Sequence, residues 1–377
     1  MANDDRNAVA TLPPLPLPPT IRARFVEEVN GLTMHVLEAG DPADPAIVLL
    51  HGFPELAFSW RAVMPALAAA GYYVVAPDQR GFGRTTGWDD RYEADLAPFR
   101  QLGLVTDLLA LLSALEIPRL AALIGHDFGS PVAAWTALIR PDIVEKVVLM
   151  SAPFAGPPPL GPSRSAASVD AALAALTPPR RHYTHFFGLP HANADMAGAP
   201  QGLPAFLRAY FHAKSGDWIA NAPHPLGAPT PEAFAQLPAY YVMDRAKGMA
   251  ETVAAMAPSP AEIAACRWLP DEHLAVYAAE FARTGFQGGL NWYRAAADPA
   301  LRVFAGRAID IPAAFIAGAR DWGVFQSPGA FEAMASRGCA RLSSCELIDG
   351  AGHWVQQEAP EATAAAILNF LRRRAPR

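Results

Sequence analysis

The chain reads as an α/β protein: a mostly parallel sheet with helices on both faces, split by one long helical insertion. Three observations predict this class. Short apolar runs alternate with helical patterns over roughly the first 150 residues, as in strand–helix–strand units. The alternation stops at Ser151 and resumes at Ile311. The chain has 377 residues, 52% of them hydrophobic, enough for a large catalytic-sized core with an insertion.

The elements follow in order. Leu12-Pro13-Pro14-Leu15-Pro16-Leu17-Pro18-Pro19 is too proline-dense for a packed element and predicts an extended arm over residues 1–20. Such an arm either lies along the surface or reaches a neighbouring subunit, which leaves a homodimer open. Arg22 to Asn30 and Leu32 to Glu38 flank Gly31 as a hairpin. Ala46 to Leu50 is a short apolar run ending at His51, and Tyr72 to Ala76 is another ending at Pro77-Asp78. Leu102 to Leu115 has helical spacing and stops before Pro118. Leu120 to Ile124 is a buried strand, Gly129 to Arg140 an Ala-rich helix, and Val144 to Met150 the next strand. Pro153 to Pro162 breaks both helix and strand. From about 165 to 297 the chain is aromatic- and alanine-rich, with short helical patterns and few strand candidates. Ile311 to Ala317 is then a strand, Gly329 to Ser336 a helix, Cys345 to Ile348 a strand, and Pro360 to Arg374 the last helix. The predicted division is a core of residues 21–153 and 298–377 with a helical lid at 154–297.

Composition narrows the partners. A net charge of −6 without a long basic run argues against nucleic acid. Cys266, Cys339 and Cys345 have no metal-type spacing and suit a reducing compartment. Met1 to Arg6 is acidic with no following apolar stretch, so no signal peptide is expected, and no apolar run reaches the ~18 residues of a membrane span. The expectation is a cytoplasmic protein with no membrane partner.

The chemistry is concentrated in Gly125-His126-Asp127-Phe128-Gly129. This is the G-x-nucleophile-x-G pattern of a sharp strand-to-helix turn, with aspartate in the central place. A serine that attacked a saturated carbon would leave an ether, which offers water no carbonyl. An aspartate leaves an ester whose carbonyl belongs to the protein, and water can cleave it to regenerate the carboxylate. Asp127 therefore points to an sp3 carbon bearing a leaving group, as in epoxides and alkyl halides. The plainer alternative is an aspartate that caps the following helix.

A triad in this order places its acid and histidine downstream, at strand C-termini. The strand from Ile311 leads to Asp321, and the strand from Cys345 leads to Gly352-His353-Trp354. The other position for the acid, after Val144 to Met150, offers only Ser151-Ala152-Pro153-Phe154, with no carboxylate. Asp321 is the better acid, and His353 the general base towards water. Upstream, His51-Gly52-Phe53-Pro54-Glu55 follows a strand, so the Phe53 and Phe128 N–H groups are expected to form the oxyanion donor pair, with a cis Phe53–Pro54 bond.

These pieces, together with Asp78-Gln79-Arg80-Gly81-Phe82-Gly83-Arg84-Thr85, resemble the α/β-hydrolase superfamily, and more closely its soluble-type epoxide hydrolases. Arg283-Thr284-Gly285-Phe286-Gln287-Gly288-Gly289-Leu290-Asn291-Trp292-Tyr293-Arg294 resembles the lid segment that carries one of that family's two oxirane-activating tyrosines, here Tyr293. Arg181-His182-Tyr183-Thr184-His185-Phe186-Phe187 offers Tyr183 as the other. The resemblance runs over about residues 22–375. It implies hydrolysis of a small apolar epoxide to a vicinal diol, with water as second substrate and no metal or organic cofactor. The lid interior is rich in aromatics, Phe186, Phe187, Tyr240, Tyr241 and Trp292, which suggests an apolar substrate body with Trp292, Phe186 and Phe187 as substrate contacts. The chain departs from the pattern at Phe128, where tryptophan is common, and in a long Pro- and Ala-rich stretch from Pro190 to Pro231. Haloalkane dehalogenases share the aspartate elbow but typically hold halide with an indole N–H beside the nucleophile, which Phe128 lacks. Fluoroacetate-type dehalogenases follow the nucleophile with arginines, and none follows here. A ligand receptor of the same fold would be expected to lose part of the triad.

Overall fold

Eight strands form the central sheet of the computed structural model, which describes residues 12–161 and 166–373. The first eleven residues of the predicted arm, Pro162 of the proline-rich breaker and Arg374 at the end of the predicted last helix lie outside the described residues. The strands are β1 Ile21–Val29, β2 Leu32–Ala39, β3 Ala46–Leu50, β4 Tyr73–Pro77, β5 Leu120–His126, β6 Val147–Met150, β9 Ala313–Gly318 and β10 Leu342–Ile348. β7 Arg180–His182 and β8 Val242–Asp244 pair separately and antiparallel. The order across the sheet is β1-β2-β4-β3-β5-β6-β9-β10. The β1–β2 hairpin and the β2–β4 pair are antiparallel, and every other pairing is parallel.

The apolar runs explain the middle of the sheet. Ala-Ile-Val-Leu-Leu in β3 and Tyr-Val-Val-Ala-Pro in β4 are buried at every position, because helices cover both faces of a parallel sheet. Alternate residues feed two cores. Val48 and Leu50 belong to one, Ile47 and Leu49 to the other. Met64–Ala69 and Pro360–Arg372 cover one face, while Gln101–Ala114 and Gly129–Ile139 cover the other.

Register brings the strand ends level. Leu50 of β3 pairs with Gly125 of β5, His126 with Met150 of β6, and Met150 with Ile316 of β9. Gly318 of β9 pairs with Ile348 of β10. The turns after β3, β5, β9 and β10 therefore open at one edge, carrying Phe53, Asp127, Asp321 and His353.

The chain between β6 and β9 folds over that edge as short helices, the β7–β8 pair and two fourteen- and twelve-residue helices, Asp271–Thr284 and Leu203–Lys214. The helix Gln287–Arg294 docks on the core through glycines. A Cβ on Gly288 would lie 2.2 Å from Gly81 O, and one on Gly289 would lie 2.6 Å from the Phe53 ring. Only hydrogen at Gly288 lets the two backbones approach this closely, and only hydrogen at Gly289 leaves room for the Phe53 ring. The described part of the arm lies on its own chain: Leu15 and Leu17 pack against the core, and Arg84 Nη2 donates to Pro13 O at 2.8 Å.

Candidate active site

Asp127 sits at the turn between β5 and the helix Gly129–Ile139 with a φ of 49°, a left-handed conformation rare for a non-glycine residue. Glycines make the turn possible. A Cβ on Gly125 would be 2.1 Å from Gly129 O, and one on Gly129 would be 2.4 Å from Leu50 O. A Cβ on Gly52 would be 2.3 Å from Asp127 Cβ, so that glycine lets the β3 turn press against Asp127. The side chain does not cap the helix. Phe128 stands at the N-cap without a side-chain bond, and the Asp127 carboxylate faces the site. Its Oδ1 accepts the Phe53 N–H at 2.9 Å, and its Oδ2 lies 3.2 Å from His353 Nε2. The Phe53–Pro54 bond is cis. The Phe128 N–H, the second expected donor, makes no hydrogen bond among the described residues and stands beside Asp127 at the helix start.

His353 Nδ1 lies 3.0 Å from Asp321 Oδ1, which also accepts the Gly323 N–H at 2.6 Å. That pairing assigns the ring proton to Nδ1 and leaves Nε2, towards Asp127, as the basic nitrogen. All three side chains are buried. Burial alone would raise the Asp127 carboxyl, but its contact with His353, reinforced by Lys214 and His126, holds it well below the ordinary carboxylate range. For His353, burial and the Lys214 charge push downward, while Asp321 and Asp127 more than offset them and leave the imidazole above its ordinary value.

Two groups inside the motifs had been given no role from the sequence. His126 Nδ1 lies 2.7 Å from Glu55 Oε2, and its Nε2 lies 2.7 Å from the His353 carbonyl oxygen. Glu55 Oε1 accepts Nε2 of both Gln356 and Gln357 at 2.9 Å. A fully buried carboxylate is thus saturated with donors, and the chain of bonds fixes the backbone that carries the base. The usable signal was two ionisable residues inside otherwise buried turns. Glu358 clasps the same loop: its Oε2 accepts Gly352 N–H at 2.9 Å and Gly216 N–H at 2.7 Å, and its Oε1 accepts Trp354 N–H at 2.9 Å. Burial pushes this carboxyl up to about 7 against the pull of those three donors.

Above Asp127 is a cavity of about 540 Å³. Asp127, Phe128, Tyr183 and Tyr293 all line it, with Gln326, Phe234 and a polar side formed by Asp170, His182 and Thr184. The two tyrosine rings lie 5.8 Å apart, centroid to centroid, at 76°. Tyr293 packs edge-on against Phe128 at 4.8 Å and Phe53 at 5.5 Å, and Tyr183 Oη donates to Gln326 Oε1 at 3.1 Å. Burial pushes both phenols well above their ordinary range, so both are neutral O–H donors. The three expected substrate contacts lie behind the wall instead. Trp292 is buried, with its indole N–H on Arg80 O at 2.9 Å. Phe187 packs against Phe53, Tyr183 and Tyr293, and Phe186 against Phe187 and His191. Aromatic content announced a packed lid without saying which rings face the cavity.

A strand–elbow–helix with an aspartate at the turn, and a second aspartate and a histidine at the ends of later parallel strands, defines an α/β hydrolase. The alpha/beta hydrolase fold family model matches residues 45–173. Epoxide hydrolase A of Mycobacterium tuberculosis is 35% identical over 356 residues, covering 91% of this chain and 95% of that protein. The crystal structure of epoxide hydrolase A from Mycobacterium thermoresistibile has a TM-score of 0.74 and 35% identity, covering 94% of this chain and 98% of that one. An epoxide hydrolase from an endophytic Streptomyces has a TM-score of 0.76 and 30% identity, covering 94% and 96%. The chain belongs to the epoxide hydrolases. No helix among its described residues is long and apolar enough to cross a membrane.

Proposed function

We propose that the chain opens the epoxide in two covalent steps. An oxygen of the Asp127 carboxylate attacks a ring carbon, the carbon–oxygen bond of the oxirane breaks, and the released oxygen is held and protonated by the phenols of Tyr183 and Tyr293. Water then adds to the Asp127 ester carbonyl and gives its proton to His353 Nε2, with Asp321 orienting the ring. The Phe53 and Phe128 N–H groups steady the tetrahedral oxyanion. On collapse the departing oxygen takes the proton from His353 and leaves as part of a vicinal diol, while the proton left on the Asp127 carboxyl restores the phenol, so that carboxylate, imidazole and both phenols are regenerated.

The observation that carries this reading is the placement of Asp127. One of its oxygens rests on a backbone donor and the other faces a histidine, beneath two neutral phenols in one cavity. The aromatic and aliphatic share of the lining favours a substrate with an apolar body. A dehalogenase reading lacks a halide donor, since Phe128 has none and the Trp292 indole is engaged by Arg80 O.

In His353→Gln, alkylation continues while hydrolysis stalls. The intact protein should gain the mass of an added styrene-type epoxide, and the wild type should release diol. An unchanged mass alongside an active wild type would reject the ester route. Halide release without diol formation would move the chain to dehalogenation.

A further inference from the structure

Lys214 is the last residue of the helix Leu203–Lys214, and it is 4% exposed. A lysine at a helix C-terminus is commonplace, since the dipole favours a cation there. Such lysines normally reach solvent, and this one is turned inward. Its Nζ lies 5.2 Å from the Trp354 ring, 5.2 Å from the Tyr241 ring and 5.6 Å from the Tyr210 ring. It forms no ion pair among the described residues. A buried ammonium without a contacting anion is costly, and aromatic faces compensate it only in part.

Its position is fixed by backbone. The Lys214 carbonyl accepts the His353 N–H at 2.9 Å. A Cβ on Gly352 would lie 2.3 Å from Gly216 N, and one on Gly216 would lie 2.0 Å from Gly350 O. The segment after Lys214 is pressed against the histidine loop, and Glu358 bonds to both. The backbone that carries the lysine is therefore held against the histidine loop, and its ammonium lies among the Trp354, Tyr241 and Tyr210 rings. The ionisable groups around Lys214 and His353 are Asp127 at the elbow, Asp321 after β9, Glu55 after β3, Tyr210 on the lysine's own helix, Tyr241 before β8, His126, whose ring lies 5.1 Å from that of His353, and Glu358, which accepts the N–H groups on either side of His353. Of all these groups, only His353 takes the proton from water in the proposed ester cleavage.

We propose that Lys214 is a positioning charge for the second step: its caged ammonium disfavours the imidazolium form of His353 and so keeps that ring able to take a proton from water in mildly acidic solution. Once Asp127 is esterified its negative charge is gone, and Lys214 is left opposed to Asp321 and Glu55 in acting on the ring. Lys214 pushes the His353 imidazole down in the free protein as well. The sign is fixed. Removing the cation stabilises imidazolium, so the acid limb of ester cleavage moves to higher pH.

The inference rests on the Asp127 ester route. The test is the pH dependence of ester decay, followed by intact mass after mixing with a styrene-type epoxide and scaled to the alkylated protein, so that only folded enzyme is counted. Lys214→Met should move the acid limb up by about one pH unit and leave decay near the wild-type rate on the alkaline side. Lys214→Arg, which keeps the charge, should retain the wild-type limb. An unmoved limb in Lys214→Met, or a limb in Lys214→Arg displaced as far as in Lys214→Met, overturns the proposal. If Lys214→Met does not fold, Lys214→Arg decides alone: a displaced limb overturns and a retained one supports. A wild type that forms no ester adduct defeats the ester route itself, a separate outcome.

Discussion

The sheet edge and the lid contribute to the cavity in opposite ways. The sheet edge supplies Asp127, Asp321 and His353, whose positions follow from strand register and tight turns and whose oxygens and nitrogens are tied to backbone or to each other. The lid supplies two neutral phenols, placed by ring packing and by one glycine seam on the core. Charge is fixed by hydrogen bonds and ion pairs at the strand ends, and neutral donors are fixed by the packing of rings and glycines. Errors in the first should remove the chemistry, and errors in the second should misplace it.

The largest expected effect is on the sheet side. Asp127→Asn should reduce diol formation by about six orders of magnitude, as for loss of a nucleophile acting within a triad. The fold should be retained, because the amide keeps an acceptor for Phe53 N–H. On the lid side, Tyr293→Phe should slow ester formation by about 10²-fold in single-turnover experiments, as when one oxyanion donor is lost. Gly288→Ala brings a methyl group against Gly81 O, should cost about 1–3 kcal/mol by overpacking, and should also slow ester formation with both phenols intact. If Gly288→Ala reacts like wild type, the seam does not place Tyr293 and the contrast fails.

Glu55→Gln sharpens the comparison. It removes the charge beside His126 and should cost about 1–3 kcal/mol in chemical denaturation, because it disturbs a buried, fully bonded network. Its effect should fall on ester decay and spare ester formation. The smallest effect belongs to Trp292→Phe, which loses the bond to Arg80 O for about 1 kcal/mol and should barely change turnover. A large loss of turnover there would return Trp292 to the substrate's surroundings.

The same contrast explains what the sequence discloses. The elbow, acid and histidine are legible because each follows an apolar strand within a few residues, so local pattern and final position coincide. β10 was placed only from Cys345, whereas it begins at Leu342. It is an edge strand with exposed Ser343, Cys345 and Glu346, so it lacks the apolar run that marks β3 or β4. β7, Arg-Arg-His, has no strand signature and exists because β8 pairs with it. The helix read from Gly329 to Ser336 is instead Ala330–Ala333 followed by a wider π turn, Met334–Gly338. Trp292, Phe186 and Phe187 were assigned to the substrate on aromatic content alone, and content carries no direction. Glu55 and His126 lay within the quoted motifs, but their pairing spans 71 residues and no local pattern announces it.

For anyone reshaping substrate scope, the Gly81–Gly288 contact divides the molecule into permissive and forbidden ground. A mutational library that touches either glycine forces two main chains apart and detunes the whole roof, whatever side chain was intended. Val169, Thr184, Phe234 and Ser327 line the chamber and take no part in that seam, and changes there would recontour it while the two backbones stay in contact.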